Sequence, residues 1–175
     1  MPEGVAEGGG RRGARLGVHG NRAARRAVGL EAALVDHSTL SIIALDPADA
    51  RSFDVEVAGV AALLIAKAHN IRDRLGSSRP DRAADKDAVD IYRLMQSSLP
   101  GDVGVRFAEL RRDPIAGPVT ETAIAALAEL FQRRNSAGVG MAVRALRLAI
   151  PEDQVATLAT SYTERMLASL EDERA

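Results

Sequence analysis

Hydrophobic positions along this chain change their spacing once. Between Ala32 and Val57 they fall in short runs or alternate, and from Val60 onward they recur every three or four residues. Phe53-Asp-Val-Glu-Val57 is the cleanest alternation, placing Phe53, Val55 and Val57 on one strand face and Asp54 and Glu56 on the other. From Ala32 to Leu45, two apolar and partly β-branched runs flank Asp36-His-Ser38, which predicts a hairpin turning at 36–38. Asp46-Pro47 then breaks the chain. Beyond Gly59 the period predicts helices at about 60–75, 85–98, 102–112, 119–134, 138–149 and 152–171. Gly76-Ser-Ser-Arg-Pro80, Pro100-Gly101, Pro114 to Pro118, Ser136 to Gly138 and Pro151 mark the breaks. Asp85 and Thr120 stand where N-caps are expected, and Pro151 where a first-turn proline is. The pattern is α+β, mainly α: a short β segment, hairpin plus one strand, followed by a bundle of about five to six helices. Residues 1–29 form a basic, irregular Gly/Arg-rich segment, 30–57 the β segment and 58–175 the helical domain.

Composition narrows the chemistry. At 175 residues the chain can bury one core without staples. Aromatic residues make up 3% and tryptophan is absent, so the core must be built from Ala, Leu, Val and Ile, and base-stacking platforms are disfavoured. Cysteine is also absent, which removes disulfides and thiolate metal sites. The net charge of -1 argues for neither nucleic acid nor membrane. It hides six arginines, Arg11, Arg12, Arg15, Arg22, Arg25 and Arg26, with no acid among them. That stretch could contact RNA phosphates, although a solvated basic tail has the same composition. No apolar run is long enough for a membrane span or a secretory signal, and a cytoplasmic protein is the simplest reading.

Two helices carry charge inside their apolar sides. In the first, Val60, Leu63, Leu64, Ala68, Ile71 and Leu75 share one side, with Lys67 and Arg74 within or beside it. In the second, Ala88, Ile91, Leu94 and Met95 form the apolar side, with Asp87 inside it and Asp90 at its edge. A buried charge without a partner is costly, so the two helices are expected to form a hairpin with Asp87 and Asp90 turned toward Lys67 or Arg74. Such a pair can simply fix how two helices dock. It can also hold a lysine in place to offer positive charge to a phosphate. Composition does not choose between the two.

The run Val57-Ala-Gly-Val-Ala-Ala-Leu-Leu-Ile-Ala-Lys67-Ala-His69-Asn-Ile-Arg-Asp-Arg74, followed by Asp85-Lys-Asp87-Ala-Val-Asp90-Ile-Tyr-Arg-Leu94, resembles the later part of AbiEii-type nucleotidyltransferases, toxins of bacterial type IV toxin-antitoxin and abortive-infection systems. The resemblance covers about residues 30–98. It implies that 30–57 is the remnant of a nucleotidyltransferase-like domain, that Lys67 contacts the nucleotide, and that Arg74, Asp87 and Asp90 support it. It further implies Mg2+ and a nucleoside triphosphate as cofactors of the full-length family, and an antitoxin protein as a possible partner. The family's Gly-Gly or Gly-Ser turn and Asp-x-Asp strand have no counterpart before Glu31, so this chain is expected to be catalytically incomplete. A helical module that binds a protein or RNA is the alternative.

Substitutes for the missing acids are weak. Asp54 and Glu56 share a strand face, the geometry a metal pair needs, but a solvated outer face alternates in the same way. Asp85 and Asp87 diverge around their helix and read as a cap and a buried acid. Gly8-Gly-Gly10 lacks the flanking residues of a phosphate-binding loop and reads as a linker. His19, His37 and His69 are scattered, and His69 falls off the apolar arc, where it is expected to face solvent.

Overall fold

The computed structural model describes residues 27–76 and 83–172, together with 13–14, 17–19 and 24–25. Within the amino-terminal stretch, β1 (Gly13–Ala14) pairs antiparallel with β2 (Ala24–Arg25) across a 3-10 turn at Gly17–His19. This minimal ladder stands inside a region whose sequence predicts no regular structure, because two residue pairs leave no apolar alternation to read. Arg25 lies in β2, whereas Gly8-Gly-Gly10 and the other arginines from Arg11 to Arg26 fall outside the described residues.

The main sheet is a single hairpin. Strand β3 (His37–Ile43) pairs antiparallel with β4 (Ser52–Ala58), His37 opposite Ala58 and Ile43 opposite Ser52. The turn expected at 36–38 is therefore corrected: the chain reverses between Ala44 and Arg51. Asp46 makes that turn, accepting the Ala48 N–H on its side chain at 2.9 Å and the Asp49 N–H on its carbonyl at 3.0 Å. The run from Ala32 to Val35, expected as the first hairpin strand, instead belongs to a 3-10 turn at Glu31–Leu34 and its C-cap, with Ala32 fully buried. Asp36 closes that turn through its own N–H to the Ala32 carbonyl at 2.8 Å.

Six helices follow: α1 (Val60–Leu75), α2 (Ala83–Gln96), α3 (Pro100–Arg112), α4 (Gly117–Phe131), α5 (Ala137–Leu146) and α6 (Glu152–Asp172). The result is mainly helical with a small antiparallel sheet at the amino-terminal side, as the hydrophobic spacing predicts. Their shared core includes Leu64, Ile65 and Ile71 of α1, Ile91 of α2, Phe107 and Leu110 of α3, Leu127 and Phe131 of α4, and Val155 and Met166 of α6. Leu63 and Leu75, grouped with the apolar side of α1, are instead half-exposed at its margins. Helices α3 and α6 approach closely because residue 104 is glycine; a Cβ there would lie 2.5 Å from the Met166 carbonyl oxygen.

Two expected caps are corrected. Thr120 does not start α4; it is buried inside it, its hydroxyl donating to the Ala116 carbonyl at 2.8 Å. Pro118 fits the first turn and moves the start to Gly117, while the Asp113 carboxylate accepts the Ile115 and Ala116 N–H groups at 2.7 and 2.8 Å. Asp85 lies in the first turn of α2, which begins at Ala83, and pairs with Arg144 of α5 at 2.9 Å. No helix among the described residues is long and apolar enough to cross a membrane.

Candidate functional site

Lys67 sits in the middle of α1, and Asp87 and Asp90 sit on one face of α2, three residues apart and therefore adjacent on the helix surface. The lysine Nζ donates to Asp87 Oδ1 at 3.0 Å and to Asp90 Oδ2 at 2.7 Å. Arg74, two turns after Lys67, donates through Nη1 to Asp87 Oδ2. Arg93 Nη1 flanks the cluster 3.7 Å from Asp90 Oδ1. The structure thus brings together Lys67, Arg74, Asp87 and Asp90. Asp87 is the most enclosed, at 6% side-chain exposure, and its position in the opening turns of α2 sets it near the positive end of the helix dipole.

Lys67 remains a cation in this setting. Burial pulls its pKa down, but the hydrogen bonds from its ammonium to Asp90 and Asp87, with their charges, outweigh burial and leave it above the ordinary lysine value. An ammonium has three N–H donors. Two are committed to the carboxylates, and the side chain is 27% exposed. The third can therefore donate to a ligand oxygen arriving from solvent.

Asp54 and Glu56 are placed elsewhere, on the exposed polar face of the hairpin. Asp54 Oδ1 accepts the Ser41 hydroxyl at 2.5 Å. Glu56 accepts the Thr39 hydroxyl at 2.7 Å and contacts His37 Nδ1 at 2.6 Å. The Thr39 hydroxyl first, then His37, hold the Glu56 carboxyl below its usual range. These acids are matched to cross-strand partners, not to Lys67. Among the described residues, no group of three or more His, Asp or Glu is placed to hold a metal ion.

His69 is corrected: it does not face solvent. It is half-buried, its Nε2 lies 2.9 Å from the Val119 carbonyl, and its ring packs against Gly29, where a Cβ would clash with it. The first turn of α4 supplies that carbonyl, so the histidine joins α1 to α4. A wheel drawn for one helix cannot reveal such a partner.

Sequence reasoning also missed Asp36 and Arg106. Asp36 accepts the Ala62 N–H at 2.8 Å, satisfying a donor in the first turn of α1, and the Arg106 Nε–H at 3.0 Å. Arg106 also donates to the Val35 carbonyl at 2.9 Å and to Glu109 at 2.6 Å. The hydrogen bond to Glu109 raises the Arg106 pKa, and together with the bond to Asp36 it outweighs the lowering by burial. The pair closes one wall of an open cavity of about 550 Å3 that also reaches Gln96, Ser98 and Asp102. A second cavity, of about 580 Å3, lies between the α2–α3 junction and α6, beside a 2.6 Å hydrogen bond between Ser98 and Tyr162. Burial raises the Tyr162 pKa despite that bond.

Searches against family models, curated proteins and solved structures found no match to this chain.

Proposed function

We propose that this chain provides the nucleotide-supporting helical part of an AbiEii-like nucleotidyltransferase and is catalytically silent by itself. The observation that carries this reading is Lys67, an ammonium held in its charged form and fixed by Asp87 and Asp90 with one N–H left for a ligand oxygen. Arg74 and Arg93 stand beside it, so a triphosphate would meet three cations and two carboxylates. The carboxylates set the position of the lysine, and its remaining N–H favours an anionic oxygen.

The acids considered as magnesium ligands do not stand beside the lysine. Asp54 and Glu56 are occupied by Ser41, Thr39 and His37 and lie on the hairpin, not on the α1–α2 face that carries Lys67. No transfer step is therefore assigned to them.

The test is to incubate the purified chain with labelled nucleoside triphosphates, Mg2+ and RNA or protein acceptors. No label should be transferred. Transfer that is lost on Lys67→Gln would overturn the assignment of silence and make the chain an enzyme.

A further inference from the structure

Among the described residues, strand β3 is an open edge. All seven of its residues are exposed, and the element it pairs with is β4. The phase of the ladder can be read from its ends. Gly59 N–H donates to the Asp36 carbonyl at 2.8 Å, and Ala44 N–H to the Arg51 carbonyl at 3.2 Å. Hydrogen-bonded and non-bonded pairs alternate in an antiparallel ladder. Ser38, Leu40 and Ile42 therefore direct their backbone groups toward β4. His37, Thr39, Ser41 and Ile43 direct theirs outward, where none finds a partner among the described residues.

Charge then distinguishes the two edges. Outward positions on β4 include Asp54 and Glu56, and a two-fold pairing of β4 with itself in the ladder-compatible register about Val55 sets Asp54 against Glu56 of the second copy twice over. Edge strands are commonly guarded by such charge. Strand β3 carries no Asp, Glu, Lys or Arg. About Leu40, its own two-fold register sets Leu40 opposite Leu40, Thr39 opposite Ser41, Ser38 opposite Ile42 and His37 opposite Ile43. Every outward-directed group of the strand is satisfied in this one register.

The side chains agree with the backbone. Leu40 and Ile42 are 53% and 54% exposed, and across the ladder Phe53 is 67% exposed on the same face. A two-fold axis normal to the sheet keeps that face on one side, so the join extends one apolar surface and does not place it against a polar one. Leu40 becomes a non-hydrogen-bonded pair, the closer of the two spacings, in which side chains touch.

We propose that β3 is a self-association edge, pairing antiparallel about Leu40 with β3 of a second copy to form a four-stranded sheet. The occupant is another copy of this chain, joined by main-chain hydrogen bonds in the manner of strand addition. This inference does not depend on the nucleotide reading.

The chain contains no cysteine, so single cysteines report pairing cleanly. Leu40→Cys, oxidised in the full chain at a concentration where sedimentation shows dimer, should give a covalent dimer; the Cα spacing of a non-bonded pair suits a disulfide. Val55→Cys, its neighbour on the same face but one strand away, should cross-link far less. Ser41→Pro removes an outward N–H that β4 does not use, and it should abolish sedimentation as a dimer while leaving the helical circular dichroism unchanged. Hydrogen exchange gives a reading without substitution: the amides of His37, Thr39, Ser41 and Ile43 should gain protection as concentration rises. Monomer at every concentration, equal cross-linking through Val55→Cys, or dimerisation unaffected by Ser41→Pro would each overturn the proposal.

Discussion

Removing one charge from the α1–α2 cluster matters through what it strands. Among the described residues, Lys67→Met leaves Asp90 with Arg93 at 3.7 Å and Asp87 with Arg74, so unfolding in denaturant should show a loss of about 1–3 kcal/mol. Replacing both partners, Lys67→Met with Asp87→Leu, should recover part of that loss, because paired apolar residues avoid the desolvation of two charges. A loss in the double variant equal to the sum of the two single-variant losses would mean the pair is not coupled. The pH dependence has a definite sign. Lys67 has a raised pKa in the folded state, so its contribution is complete below the ordinary lysine value of 10.5 and fades as pH rises through the folded value. The stability difference between wild type and Lys67→Met should be flat from neutral pH to that point and shrink above it. Tyr162, raised by burial, shares that sign, which is why the difference between the two proteins is the quantity to follow.

Helix starts carry the next set of consequences. Helix α1 opens at Gly59 with no side-chain cap of its own, and the carboxylate of Asp36 supplies one from across the fold. Asp36→Ala should destabilise by about 1–3 kcal/mol, since it frees a helix-start N–H and leaves the partly buried Arg106 Nε–H without its acceptor. Asp36→Asn keeps an acceptor and should cost less in the same denaturant titration. At the α3–α6 contact, Gly104→Ala drives a Cβ into the backbone of α6 and should lower stability by about 1–3 kcal/mol. These positions also mark what could be read from sequence. Period and breakers located every helix to within a few residues, because Pro100, Pro118 and Pro151 punctuate a strong repeat. The Lys67 cluster was legible for a similar reason: opposite charges stood inside the apolar sides of consecutive helices. Asp36 was not legible, since its partners Ala62 and Arg106 lie far along the chain and an acid before His-Ser mimics a turn. The hairpin turn was misplaced for the same cause, and Asp46-Pro47 was the stronger signal. His69 escaped because the acceptor that holds it is a main-chain carbonyl at the start of another helix.

Taken together, the bundle and the hairpin divide the protein by burial. The helices hold the core, whereas β3 and β4 present exposed Leu40, Ile42 and Phe53. Amides of α1 and α4 should therefore exchange slowly and those of the hairpin faster in dilute protein, measured by native-state hydrogen exchange. The site and the association edge lie on different elements, α1–α2 and β3, so nucleotide and a second copy should bind independently. Whether the Lys67 cluster receives a nucleotide is the question on which the functional reading stands. Backbone amide shifts of the isotope-labelled chain, followed while a nucleoside triphosphate is titrated, answer it directly without altering any residue. The expected result is a saturable set of shifts centred on Lys67, Arg74, Asp87 and Asp90. No saturable shift at those residues, with nucleotide in large excess, would contradict it.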